Sequence, residues 1–183
     1  KIDSLLVNLK KQIKTLVGED AIINFSEKNM LVNDFDIVKA KEQYRQLLIN
    51  ETDLILAFGI VNNELLTKQE THKKPTILFG TINKDFNRID LSKSKSNTTN
   101  FTYLVEEESY KNDLEKLKAL TNFKNVGIII DKPFIDMLPI KATFDTISKS
   151  IGTNYILIPF ESVSDITSKL DVVDAIYMAG GFF

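Results

Sequence analysis

The sequence contains no cysteine, which excludes disulfides, thiolate catalysis and cysteine-based zinc sites. Histidine occurs once, as His72 in Glu70-Thr-His-Lys-Lys-Pro75. Two lysines follow it and no ordered carboxylate partner is evident, so it reads as a solvated loop histidine and not as a general base. Arginine occurs only at Arg45 and Arg88, so almost all positive charge is lysine, poor material for bidentate clamps on phosphate or carboxylate. Neither glycine-rich phosphate loop occurs, and there is no Gly-x-Ser-x-Gly elbow for a serine nucleophile. The longest apolar run, Leu54 to Val61, is far short of the ~18 residues that span a bilayer.

What is present is an ordinary globular composition. Apolar residues make up 43% of the 183 residues and charged residues 26%, enough apolar surface for a real core and unlike a disordered chain. The formal net charge of -2 argues against nucleic acid as a partner, since that normally requires a basic face.

Along the chain, Ile2, Leu5, Leu6, Leu9, Ile13, Leu16 and Val17 recur at helical spacing, and Gly18 follows as a C-cap. Ala21 to Phe25 reads as a short strand. Asp34 or Asp36 is an N-cap for a second helix whose apolar stripe is Ile37, Ala40, Tyr44 and Leu47. Asp53 to Gly59 and Pro75 to Gly80 are continuous apolar runs ending in glycine, the pattern of strands buried on both faces of a parallel sheet. Asn125 to Asp131 is a third such run. Phe101 to Val105, Tyr155 to Phe160 and Asp174 to Gly180 complete the predicted strands. Helices are predicted after Val61, after a Ser109 cap, around Pro139 to Ile151, and from Ser162 to Leu170.

This alternation predicts an α/β fold with parallel sheets in two Rossmann-like lobes. The polar stretch at 83–100 places the lobe boundary, giving a first lobe over 1–100 and a partial second lobe over 101–183. Ligands in such folds bind beyond the carboxyl ends of the strands. The candidate ligand-binding residues are therefore Gly59, Asn62, Gly80, Thr81, Asp131, Phe134, Phe160 and Gly180. Each has a plain structural alternative. Asn62 and Asp131 are equally placed to cap helices, Phe134 to fill core, and Gly180 to make a turn. Glu106-Glu-Glu108 reads as favourable charge at a helix start and not as a cation site. No catalytic residue, metal site or cofactor is assigned.

The order Asp53-Leu-Ile-Leu-Ala-Phe-Gly59, Lys74-Pro-Thr-Ile-Leu-Phe-Gly80, Asn125-Val-Gly-Ile-Ile-Ile-Asp131 and Val173-Asp-Ala-Ile-Tyr-Met-Ala179 resembles the ABC transporter substrate-binding proteins with the type I periplasmic-binding fold. Within them it is similar to the tryptophan and aromatic amino acid uptake-like group. The resemblance runs from about Ala40 to Ala179. It implies a non-enzymatic solute-binding domain of the bacterial periplasm or cell envelope, closing by a hinge on a small organic ligand such as an amino acid. It implies a membrane transporter as partner, with no membrane insertion by this segment. Measured against that family, the chain reads as cut short at both ends. Related domains also occur in proteins similar to outer-membrane efflux components. The alternative expectation is therefore a ligand-sensing or interaction domain of an export protein with a degenerate cleft. An open cleft that a ligand stabilises favours the first reading; a flat or apolar-plugged cleft favours the second.

Overall fold

A computed structural model describes residues 2–87, 95–106 and 109–178. The chain opens with α1 (Ile2–Val17) and α2 (Ile37–Ile49). It continues through β1 (Ile55–Phe58), α3 (Ile60–Leu66), β2 (Thr71–Asn83), α4 (Lys84–Asn87) and β3 (Thr99–Glu106). Next come α5 (Tyr110–Thr121), β4 (Asn125–Asp131), α6 (Lys132–Met137) and α7 (Ile140–Ile151). β5 (Asn154–Phe160), α8 (Val163–Thr167) and β6 (Ala175–Met178) complete it. The result is α/β, with two three-stranded sheets ordered β1-β2-β3 and β5-β4-β6. All the strand pairings among the described residues are parallel, as continuous apolar strands separated by helices require.

The local signals explain most boundaries. Gly18 and Gly152 stand at positive φ as helix C-caps, the conformation glycine adopts without strain. Asp36 caps α2 by accepting the N–H groups of Val38 and Lys39 at 2.7 and 3.1 Å. Ser109 caps α5 by accepting from the Asn112 N–H at 3.2 Å. Pro139 separates α6 from α7, since it lacks the N–H that a continuous helix needs.

Three expectations are corrected. Ala21 to Phe25 is not a strand; Ile22 is almost wholly exposed. β-Branched composition alone does not make a strand where no neighbour pairs with it. The Pro75 to Gly80 strand extends in both directions, from Thr71 to Asn83. β3 pairs with it as far as Asn83↔Glu106, so Gly80 and Thr81 lie within a strand and not in a loop after one. The ladder skips between Thr71 and Thr76, around Pro75, which has no N–H to donate. Finally, His72 lies inside β2 and is buried. The segment containing it was carried into the sheet by pairing with β3.

The strand at Phe101 to Val105 belongs to the first sheet, so the division between sheets falls after Glu106. Each sheet carries its own core. The first is built from Tyr44, Ile55, Ala57, Leu66, Leu78 and Phe101. The second is larger and centres on Leu114, Ile128, Ile130, Phe134 and Phe144. Among the described residues no helix is long and apolar enough to cross a membrane.

Candidate functional site

The turn before α2 and the start of the helix beyond β1 both pack against the second lobe. Gly59 ends β1 at φ 86° and starts α3. A side chain there would meet nothing within 4 Å, so glycine serves the backbone conformation and not a close approach. The next residue, Ile60, packs against the core cluster of the second sheet. Phe134, on α6 beyond β4, is only 5% exposed. Its ring is met edge-on by Phe35, from the turn before α2, with centroids 5.6 Å apart and planes at 89°. Aromatic pairs favour this edge-to-face arrangement.

The polar candidates divide between the protein and the gap. The Asn62 Nδ2 donates to the Phe58 carbonyl at 2.8 Å, and its Oδ1 accepts a long 3.5 Å contact from Asn33 Nδ2. That amide therefore ties the β1 end to the turn bearing Phe35. Asp131 stands at the N-cap of α6, but its side chain makes no capping hydrogen bond. It pairs in register with Phe160, which places both residues at the same carboxyl end of the second sheet. Beside them Lys132 forms a 2.9 Å ion pair with Glu161, which raises the lysine pKa. Gly180 and Glu107-Glu108 lie outside the described residues, and Glu106 ends β3.

A second seam joins the lobes beyond β2. Phe86 of α4 lies edge-on to Tyr110 of α5 at 5.1 Å. The Lys111 N–H reaches the Asp85 carboxylate at 3.4 Å, and Thr143 Oγ1 reaches the Asp85 carbonyl at 3.5 Å. Tyr110 also faces Tyr177 of β6, whose hydroxyl donates to Asp113 Oδ2 at 2.8 Å. Burial and the Asp113 carboxylate push the Tyr177 phenol far up, so it stays a neutral donor.

Away from the seam lies a polar group in the first core that the sequence had placed in solvent. His72 is 2% exposed. Its ring stacks on Phe101 at 4.3 Å, and its Nδ1 lies 2.8 Å from the Tyr44 hydroxyl. Its Nε2 has no hydrogen-bond partner. Desolvation lowers the imidazole pKa, with the Leu66 backbone opposing, and burial raises that of Tyr44. The pair is a neutral hydrogen bond between α2 and β2. Nothing places it near the β1 and β4 loops.

Among the described residues no cluster of three or more histidine, aspartate and glutamate side chains has metal-binding geometry. Sequence reasoning overlooked Phe35 and Ile60. Phe35 stands immediately before the Asp36 N-cap, where an apolar residue ordinarily signals a staple onto its own helix. The ring's contact with Phe134 depends on the second lobe, and no local pattern encodes it. No family model, curated protein or solved structure matches the chain.

Proposed function

We propose that this chain is a non-enzymatic, two-lobed recognition domain of the bacterial cell envelope. It acts as an interaction module of an export system, with its inter-lobe cleft closed by its own side chains. The observation that carries this reading is the Phe35–Phe134 contact. It lies next to the turn whose Asn33 reaches Asn62 beyond β1, and in this reading it takes the place of a captured solute. Ile60 packed on the second core and Asn62 bonded to Phe58 support it. The envelope location and the export partner rest on the resemblance to periplasmic-binding and efflux-associated domains.

A second reading, solute capture for an ABC-type uptake system, is favoured by one feature. Asp131 makes no cap bond to α6, so its carboxylate is available to a ligand amine.

Two measurements separate the readings. In the first, the thermal midpoint is followed against a panel of amino acids and small organic amines and acids. The interaction reading expects no saturable rise for the native chain. A saturable rise that is lost in Asp131→Ala establishes solute capture and overturns the interaction reading. In the second, a photo-crosslinking residue replaces exposed Val32 or Val38 in the source envelope. Crosslinks to outer-membrane export components are expected, and their absence from both positions sinks the interaction reading. No hydrolase, kinase or dehydrogenase turnover is expected in either case, because no nucleophile–base pair or phosphate loop can be named.

A further inference from the structure

Two consecutive residues at the seam hold left-handed backbone, Asp34 at φ 50° and Phe35 at φ 60°. Aspartate visits this region readily. Phenylalanine does so at a cost, because its Cβ crowds the following carbonyl. Such conformations persist where surrounding contacts over-determine them, and they concentrate at clamps and switch segments.

Here the contacts can be named. The Phe35 N–H donates to Asn33 Oδ1 at 3.1 Å, and the Asp36 N–H donates to the Asn33 carbonyl at 2.9 Å. Lys39 of α2 pairs with the Asp34 carboxylate. Asp36 caps the same helix, and Asn33 reaches Asn62 beyond β1. These contacts anchor the turn in the first lobe. Its Phe35 ring, 64% exposed, is seated edge-on against buried Phe134 of the second. An exposed apolar ring on a strained backbone needs a contact that offsets the strain, and Phe134 supplies it.

We propose that Asn33 to Phe35 form a strained latch. Seated on Phe134, the Phe35 ring adds to the contacts that hold the two lobes together. Its withdrawal relaxes the turn and uncovers Phe134 on α6. What the uncovered ring receives rests on the recognition reading above; the latch itself does not. The gain from one edge-to-face ring pair and the cost of one left-handed phenylalanine are of the same order. The latched and released forms therefore lie close in free energy, as a switch segment requires.

Hydrogen–deuterium exchange on the full chain, without any ligand, tests the latch. In Phe35→Ala, the amides of α6 and the first turn of α3 are expected to exchange about two- to tenfold faster, the scale of one aromatic pair. The remaining strand amides are expected to keep their native rates. Exchange in α6 equal to the native chain overturns the latch, as does an acceleration spread evenly over both sheets. A second comparison tests the strain. Phe35→Gly removes the same ring and also relieves the left-handed backbone, so it is expected to melt above Phe35→Ala. An equal or lower midpoint overturns the strained-turn half of the proposal. Neither result depends on the ligand panel or the crosslinking, so the latch and the recognition reading fail separately.

Discussion

His72 shows how one side chain makes a lobe pH-sensitive. Facing it are the Tyr44 hydroxyl from α2, the Phe101 ring from β3 and the Leu66 backbone, and no charged side chain contributes to its shift. Its pKa is lowered in the folded protein, so between the folded value and the ordinary ~6.5 the unfolded chain binds more protons. Stability is therefore full above about pH 6.5 and falls as pH drops below it, at up to about 1.4 kcal/mol per pH unit for one proton. Urea midpoints at pH 7.5 and pH 5 measure this, and His72→Gln is expected to flatten the difference. The signal was invisible in sequence. Glu70-Thr-His-Lys-Lys-Pro75 is polar throughout, and only pairing with β3 and packing of Tyr44 withdraw the ring from water.

Among the elements, β4 is closely packed at its middle. Gly127, in the middle of β4, has ordinary φ, but a Cβ there would sit 2.7 Å from Ile158 Cδ1 and 3.5 Å from Val173 Cγ1. Ile158 is buried to 1% exposure and has little room to move. Gly127→Ala is expected to cost about 1–3 kcal/mol, the scale of overpacking a filled core, read as a lower denaturant midpoint. At the base of the same strand, Asp174 accepts the N–H groups of Lys124 and Asn125, both at 2.9 Å. These bonds lower its pKa. Their contribution is present above the ordinary aspartate pKa and is lost as pH falls from there through the lowered folded value, so Asp174→Asn is expected to reduce acid sensitivity along with stability. In the first lobe, Asp36→Ala removes the cap of α2 and is expected to cost about 1 kcal/mol, measured by thermal melting. Caps of this kind were legible because the Ser or Asp hydrogen-bonds within its own turn. The Ala21 to Phe25 strand was misread for the converse reason, since a strand exists only where a neighbour accepts its bonds.

At the scale of the whole molecule, Phe35 and Phe134 are one of the contacts that couple the two lobes, beside the Asp85, Phe86 and Ile60 contacts. Phe134→Ala removes a buried ring from the second core and is expected to cost about 3–5 kcal/mol. In a double-mutant cycle with Phe35→Ala, the two losses are expected to be non-additive by about 0.5–1.5 kcal/mol, the worth of the ring pair. Additive losses, measured by urea unfolding, would mean that the rings touch without energetic coupling.

The sequence by itself determined the fold class, the parallel sense of the sheets and most helix ends. Asn125 to Asp131 is apolar at nearly every position, which only a strand covered on both faces tolerates, and Gly18, Gly152, Asp36 and Ser109 terminate helices by bonds or dihedrals confined to one turn. The tertiary structure alone decided the site. It extended β2 through Gly80 and Thr81, left Asp131 without a cap bond, bound Asn62 to its own strand end, buried His72 and seated Phe35 on Phe134. The β2 extension, the burial of His72 and the Phe35–Phe134 contact each join segments far apart in the chain. Local periodicity records which face of an element avoids water; it carries no information on which distant residue covers that face.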